Sequence, residues 1–192
     1  WVLPGLCQRT PADVMRGEET QIAGILCQQK DFSGALCLPG THSKWALCQA
    51  GEVVSFSTFM TGELFALLAK QSVLRHSVVD EQWSDEAFKQ GVQDAFDNPV
   101  KFTSELFSVR AQDILGSGAP SFGKARLSGL LIGSELAGTR EWWQGQQVML
   151  LGDSLLQALY QLAMEQININ VVLADATQMT LAGLTAAYEQ QG

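Results

Sequence analysis

Three short apolar runs follow one another with little between them, and they restrict the fold more than any other feature. Gly34-Ala35-Leu36-Cys37-Leu38 leads, Ala46-Leu47-Cys48 follows, and Val53-Val54-Ser55-Phe56-Ser57-Thr58-Phe59 closes the set. Runs this short, parted by polar turns, predict three consecutive strands. The first connection is Pro39-Gly40-Thr41-His42-Ser43-Lys44-Trp45. Gly there lets a ligand approach the backbone, and bare N–H groups with the Thr and Ser hydroxyls can hold phosphate oxygens. Lys44 can neutralise charge beside them. The same residues would also make an ordinary polar hairpin turn, so spacing leaves both readings open.

At 192 residues the chain suits one domain of ordinary size or two small ones. An apolar share of 46% supports a real core. No apolar run approaches the length of a membrane span, and the start does not read as a signal peptide. The net charge of −8 argues against a general nucleic-acid surface. It says little about small anions, which respond to the local field. The cysteines, Cys7, Cys27, Cys37 and Cys48, form no CxxC pair, and two lie inside apolar runs. They predict free, largely buried thiols and a reducing, cytoplasmic compartment. With only His42 and His76 present, no His-based metal centre is expected. Trp1-Val2-Leu3-Pro4-Gly5 reads as a strand end, as if the chain were part of a larger protein.

Along the chain, residues 8–12 read as a polar linker and residues 18–28 as a helix, with Glu18 and Glu19 in its first turn. Solvated helix-start acids and catalytic acids fit those positions equally. After the three strands, Thr61 reads as the cap of a helix running to Lys70. Helices are expected from Ser84 to about Phe96 and from about Thr103 to Leu115. Residues 122–143 predict one long helix carrying Gly129, Gly133 and Gly138, which suit either close helix packing or a ligand. Strands at 148–153 and 168–173 alternate with helices at 154–166 and 180–190. The order predicts an α/β fold, a mixed sheet with helices on its faces and a helical insertion at about 72–123.

Four motifs carry a more specific likeness. They are Asp13-Val14-Met15-Arg16-Gly17-Glu18-Glu19-Thr20-Gln21, Leu38 to Trp45, Thr58-Phe59-Met60-Thr61-Gly62-Glu63-Leu64-Phe65, and Arg126 to Glu135. Together, in this order, they resemble the 2-dehydro-3-deoxygalactonokinase family of the actin-like ATPase and sugar-kinase superfamily. The resemblance implies a ribonuclease H-like lobe with βββαβαβ order. Residues 1–28 would be the tail of a first lobe and the interlobe segment, and 29–192 the second lobe. Nothing in the chain corresponds to the family's first phosphate loop, so a missing amino-terminal lobe is expected as partner and the chain alone is expected to be inactive. A homodimer is compatible with the likeness.

By that resemblance the whole protein moves a phosphoryl group from ATP, with Mg2+, to the 6-hydroxyl of 2-dehydro-3-deoxy-D-galactonate in galactonate breakdown. Glu18 is the first choice as proton acceptor, with Asp13 and Glu19 as rivals. Gly40, Thr41, His42, Ser43 and Lys44 would form the second phosphate loop. Gly129, Gly133, Gly152 and Asp153 would lie near the nucleotide. Arg16, Arg110 and Arg126 are candidates to grip the substrate carboxylate. Another sugar kinase of the superfamily, or a non-catalytic nucleotide-binding regulatory lobe, would share these features.

Overall fold

A computed structural model describes residues 3–78, 83–116, 122–152 and 154–189. It divides into two units, one of Trp1–Phe59, Glu141–Ala158 and Asn170–Gly192, the other of Met60–Arg140 and Leu159–Ile169.

The first unit is built on a five-stranded mixed sheet of order β5-β4-β3-β6-β7. Its strands are β3 (Gly34–Leu38), β4 (Ser43–Gln49), β5 (Glu52–Phe59), β6 (Val148–Gly152) and β7 (Val171–Asp175). The three apolar runs form the antiparallel meander β3-β4-β5, and β6 and β7 add in parallel beside β3. Leu36, Leu38, Met149 and Leu151 meet Ile22 and Ile25 of helix α1 (Glu18–Gln28) and Met179 of α8 (Ala176–Glu189) in one core. The intervening Ala35, Cys37, Trp45 and Leu150 are buried as well, so the middle strand β3 is buried at every position instead of alternating. Burial pushes the Cys48 thiol up to about 11, which keeps it a neutral core side chain. Helices α1 and α8 cross closely. A Cβ on Gly24 would lie 1.9 Å from the Met179 carbonyl oxygen, so only glycine fits there.

The second unit is helical. It comprises α2 (Thr61–Gln71), α3 (Asp85–Asp97), α4 (Phe102–Ile114), α5 (Phe122–Gly138) and the end of α7 (Ser154–Gln166). Ala95, Val109, Leu127 and Leu130 join its core. The Ser84 hydroxyl caps α3 by accepting the Ala87 N–H at 3.2 Å.

Several boundaries differ from the sequence expectation. Residues 3–5 are not a strand, and the expected polar linker belongs to an antiparallel hairpin, β1 (Leu6–Arg9) with β2 (Ala12–Met15), turning at Thr10-Pro11. Gln8 is polar for a structural reason. Its amide oxygen accepts the Phe56 N–H and its amide nitrogen donates to the Phe56 carbonyl, both at 3.1 Å, satisfying the outer edge of β5. Thr61 lies inside α2 instead of capping it, and its hydroxyl donates to the Glu135 carboxylate. The long helix stops at Gly138. Thr139 turns its hydroxyl onto the Glu135 carbonyl, and a short α6 (Arg140–Trp143) follows. β7 runs to Asp175, whose carboxylate accepts the Gln178 N–H at 2.7 Å, so α8 begins four residues before Thr180.

Candidate functional site

The parallel strands β3, β6 and β7 end on one side of the first unit's sheet, where open α/β sheets hold their ligands. A cavity of about 340 Å3 lies there. Its lining comes from Glu18 and Gln21 of α1, the turn 38–42 after β3, Leu151 and Gly152 at the end of β6, and Ala176 at the start of α8. Gln157 supports this rim by donating to the Leu150 and Ala174 carbonyls at 3.0 and 3.1 Å, which ties β6 to β7.

Gly17 precedes α1 with φ 112°, a conformation that favours glycine and lets the chain reverse into the helix. The first-turn acids fold back across that bend. Glu18 Oε2 accepts the Arg16 N–H at 3.1 Å, and Glu19 Oε2 accepts the Gly17 N–H at 2.5 Å. Glu18 Oε1 meets the Lys44 ammonium at 3.2 Å. Lys44 stands at the start of β4, only 4% exposed, and its Nζ also donates to the His42 carbonyl at 3.1 Å. The ammonium therefore joins the turn after β3 to the acid that opens α1. Ser43, fully buried, accepts the Gly40 N–H at 3.4 Å and braces the same turn. A Cβ at Gly40 would find its nearest atom 3.9 Å away, so this backbone stands open to the cavity.

Glu18, Gly40, Thr41, His42 and Gly152 thus come together on one cavity, with Ser43 and Lys44 beside them. The other acids lie differently. Asp13 clamps β2 to β5, accepting the Thr58 N–H and hydroxyl, each at 2.6 Å. Glu19 is spent on the bend before α1. Arg16 is exposed beside that bend. Arg110 and Arg126 lie in the helical unit and already hold carboxylates. Arg110 pairs with Asp113 at 2.6 Å, and Arg126 with Asp94 at 2.6 Å and Glu105 at 2.8 Å. Gly129 and Gly133 of α5 pack against α3, where added Cβ atoms would lie 2.1 Å from the Phe88 carbonyl oxygen and 2.3 Å from that of Val92. Asp153 lies outside the described residues. Gln21 and Ala176 were not singled out from sequence. Three-residue spacing from Glu18 is the signal that marks Gln21, whereas Ala176 was hidden by the misplaced start of α8.

Among the described residues, no group of three His, Cys, Asp or Glu side chains could hold a metal ion. No helix among them is long and apolar enough to cross a membrane.

Residues 1–187 match the family model described as 2-keto-3-deoxy-galactonokinase. The chain is 42% identical over 192 residues to a candidate 2-dehydro-3-deoxygalactonokinase of Rhizobium meliloti (strain 1021), covering 97% of this chain and 63% of that protein. It is 34% identical over 187 residues to the 2-dehydro-3-deoxygalactonokinase of Escherichia coli (strain K12), covering 96% of this chain and again 63% of the relative. The crystal structure of a candidate 2-dehydro-3-deoxygalactonokinase from Sinorhizobium meliloti superposes with a TM-score of 0.92 at 42% identity. That match covers 98% of this chain and 64% of the other. The chain therefore spans about 63% of the length of the curated relatives it matches.

Proposed function

The chain belongs to the 2-keto-3-deoxy-galactonokinase family, and from that premise we propose that it is the second, ribonuclease H-like lobe of a cytoplasmic kinase. The whole protein would transfer the γ-phosphoryl group of ATP to the 6-hydroxyl of 2-dehydro-3-deoxy-D-galactonate. One observation carries the proposal: Glu18, the turn 38–42 and Gly152 surround a single cavity at the carboxyl ends of the parallel strands.

Phosphoryl transfer asks a protein for positioning, charge neutralisation and a group to take the hydroxyl proton. Glu18 is the acid nearest to that last task, because its carboxylate lines the cavity and is fixed from two sides. As the 6-oxygen forms its bond to the γ-phosphorus, the bond from that phosphorus to the ADP oxygen breaks. The hydroxyl proton passes to Glu18. The Thr41 N–H and hydroxyl and the Lys44 ammonium would offer donors and positive charge to the phosphate oxygens. A Mg2+ ion carried on the phosphates would neutralise further charge. Among the described residues no acidic cluster would hold such an ion by itself, so its shell would be filled mainly by phosphate oxygens and water. Arg16 is the candidate for the substrate carboxylate that has no ion pair among the described residues, whereas Arg110 and Arg126 are each engaged with acids.

The remaining wall of the active site would come from the part of the relatives' length that this chain does not span. Coupled ADP release with 2-dehydro-3-deoxy-D-galactonate tests the proposal. The complete protein is expected to turn over on this sugar acid, and residues 1–192 alone to show no turnover. Nucleotide binding without turnover on any sugar acid would overturn the kinase reading. Robust turnover by the 192-residue chain would overturn the division of the site.

A further inference from the structure

Gln21 lines the cavity beside Glu18, yet its side-chain amide has no hydrogen-bond partner among the described residues. It is half-buried. Comparable amides in the same unit are spent. Gln8 serves the backbone of Phe56, and Gln157 donates to two strand carbonyls. No described protein group claims the Gln21 amide, so it is available to whatever occupies the cavity. Gln21 follows Glu18 by three residues in α1, so it projects from the same helix face one turn further on.

The chemistry of the amide narrows what that ligand group is. An amide presents one donor and one acceptor side and no charge. Phosphate oxygens only accept, and in the proposed site Thr41 and the Lys44 ammonium beside the cavity already serve them. A hydroxyl both donates and accepts, which matches the amide on both counts. The hydroxyl nearest to the transferred one is on the adjacent carbon. We infer that Gln21 is a specificity-determining residue that reads the 5-hydroxyl of the sugar acid while Glu18 takes the proton from the 6-hydroxyl. This rests on the reading of Glu18 as proton acceptor.

The test uses the complete protein with the natural sugar acid and its 5-deoxy analogue. Gln21→Met keeps the length and volume of the side chain and removes both hydrogen-bonding groups. The unsubstituted enzyme should prefer the natural substrate by about tenfold in kcat/KM, the value of one neutral hydrogen bond. Gln21→Met should lose that preference, mainly through a raised KM for the sugar acid, with the KM for ATP unchanged. Gln21→Ala repeats the comparison if thermal melting shows Gln21→Met to be unfolded. A variant that still discriminates the two sugars as the parent does overturns the inference. So does one that raises only the KM for ATP. Glu18→Gln in parallel separates the failures. Full activity in Glu18→Gln would remove the premise, whereas an inactive Glu18→Gln beside a discriminating Gln21→Met would remove this inference alone.

Discussion

Lys44 is the residue whose placement explains most about the site. Its four-carbon stem is packed away and its ammonium emerges between the His42 carbonyl and the Glu18 carboxylate. An ammonium this enclosed needs partners, and the two it has belong to separate elements, so the pair fixes the turn relative to α1. Asp13 makes the opposite case. It sits in the same motif as Glu18, and sequence alone left both open as proton acceptors. Its oxygens take the Thr58 N–H and hydroxyl, so its evident work is to hold a hairpin on a sheet edge. Asp13→Ala should therefore cost about 1–3 kcal/mol in urea unfolding while kcat stays near that of the parent. A large fall in kcat without loss of stability would return Asp13 to the chemistry.

At the scale of elements, the sequence was most legible where one signal was strong. Short apolar runs between polar turns marked β3, β4 and β5, and two acids after Gly17 marked the start of α1 at Glu18. It was least legible where tertiary contact decides. The four-residue strands of the first hairpin carry little pattern of their own, and Gln8 looks like linker until its amide is seen against Phe56. Arg110 and Arg126 carry the charge expected of carboxylate-binding residues, but the carboxylates they hold come from Asp113, Asp94 and Glu105. Gly129 and Gly133 suited packing or a ligand equally in the sequence, and the structure shows the backbone of α3 against them. Gly129→Ala would drive a methyl into the Phe88 carbonyl, which as backbone cannot swing aside. Unfolding free energy should fall by at least about 2 kcal/mol. A melting temperature equal to the parent's would mean that α3 and α5 do not approach this closely.

For the whole molecule, a net charge of −8 sets an unfavourable background for any anionic ligand. Against that background the positive charge beside the turn 38–42 is local, the Lys44 ammonium held by Glu18 and the His42 carbonyl. The first unit has its own core of sheet and crossing helices, and the helical unit has a separate one around α5. Among the described residues the lining of the cavity comes from the first unit, and Glu18 is its only acid. The most direct measurement is therefore steady-state ADP release by the complete protein carrying Glu18→Gln, with 2-dehydro-3-deoxy-D-galactonate as acceptor. A general base contributes about a hundredfold or more, so kcat should fall by at least that factor while the KM for ATP changes little. A kcat close to that of the unsubstituted protein would contradict the account.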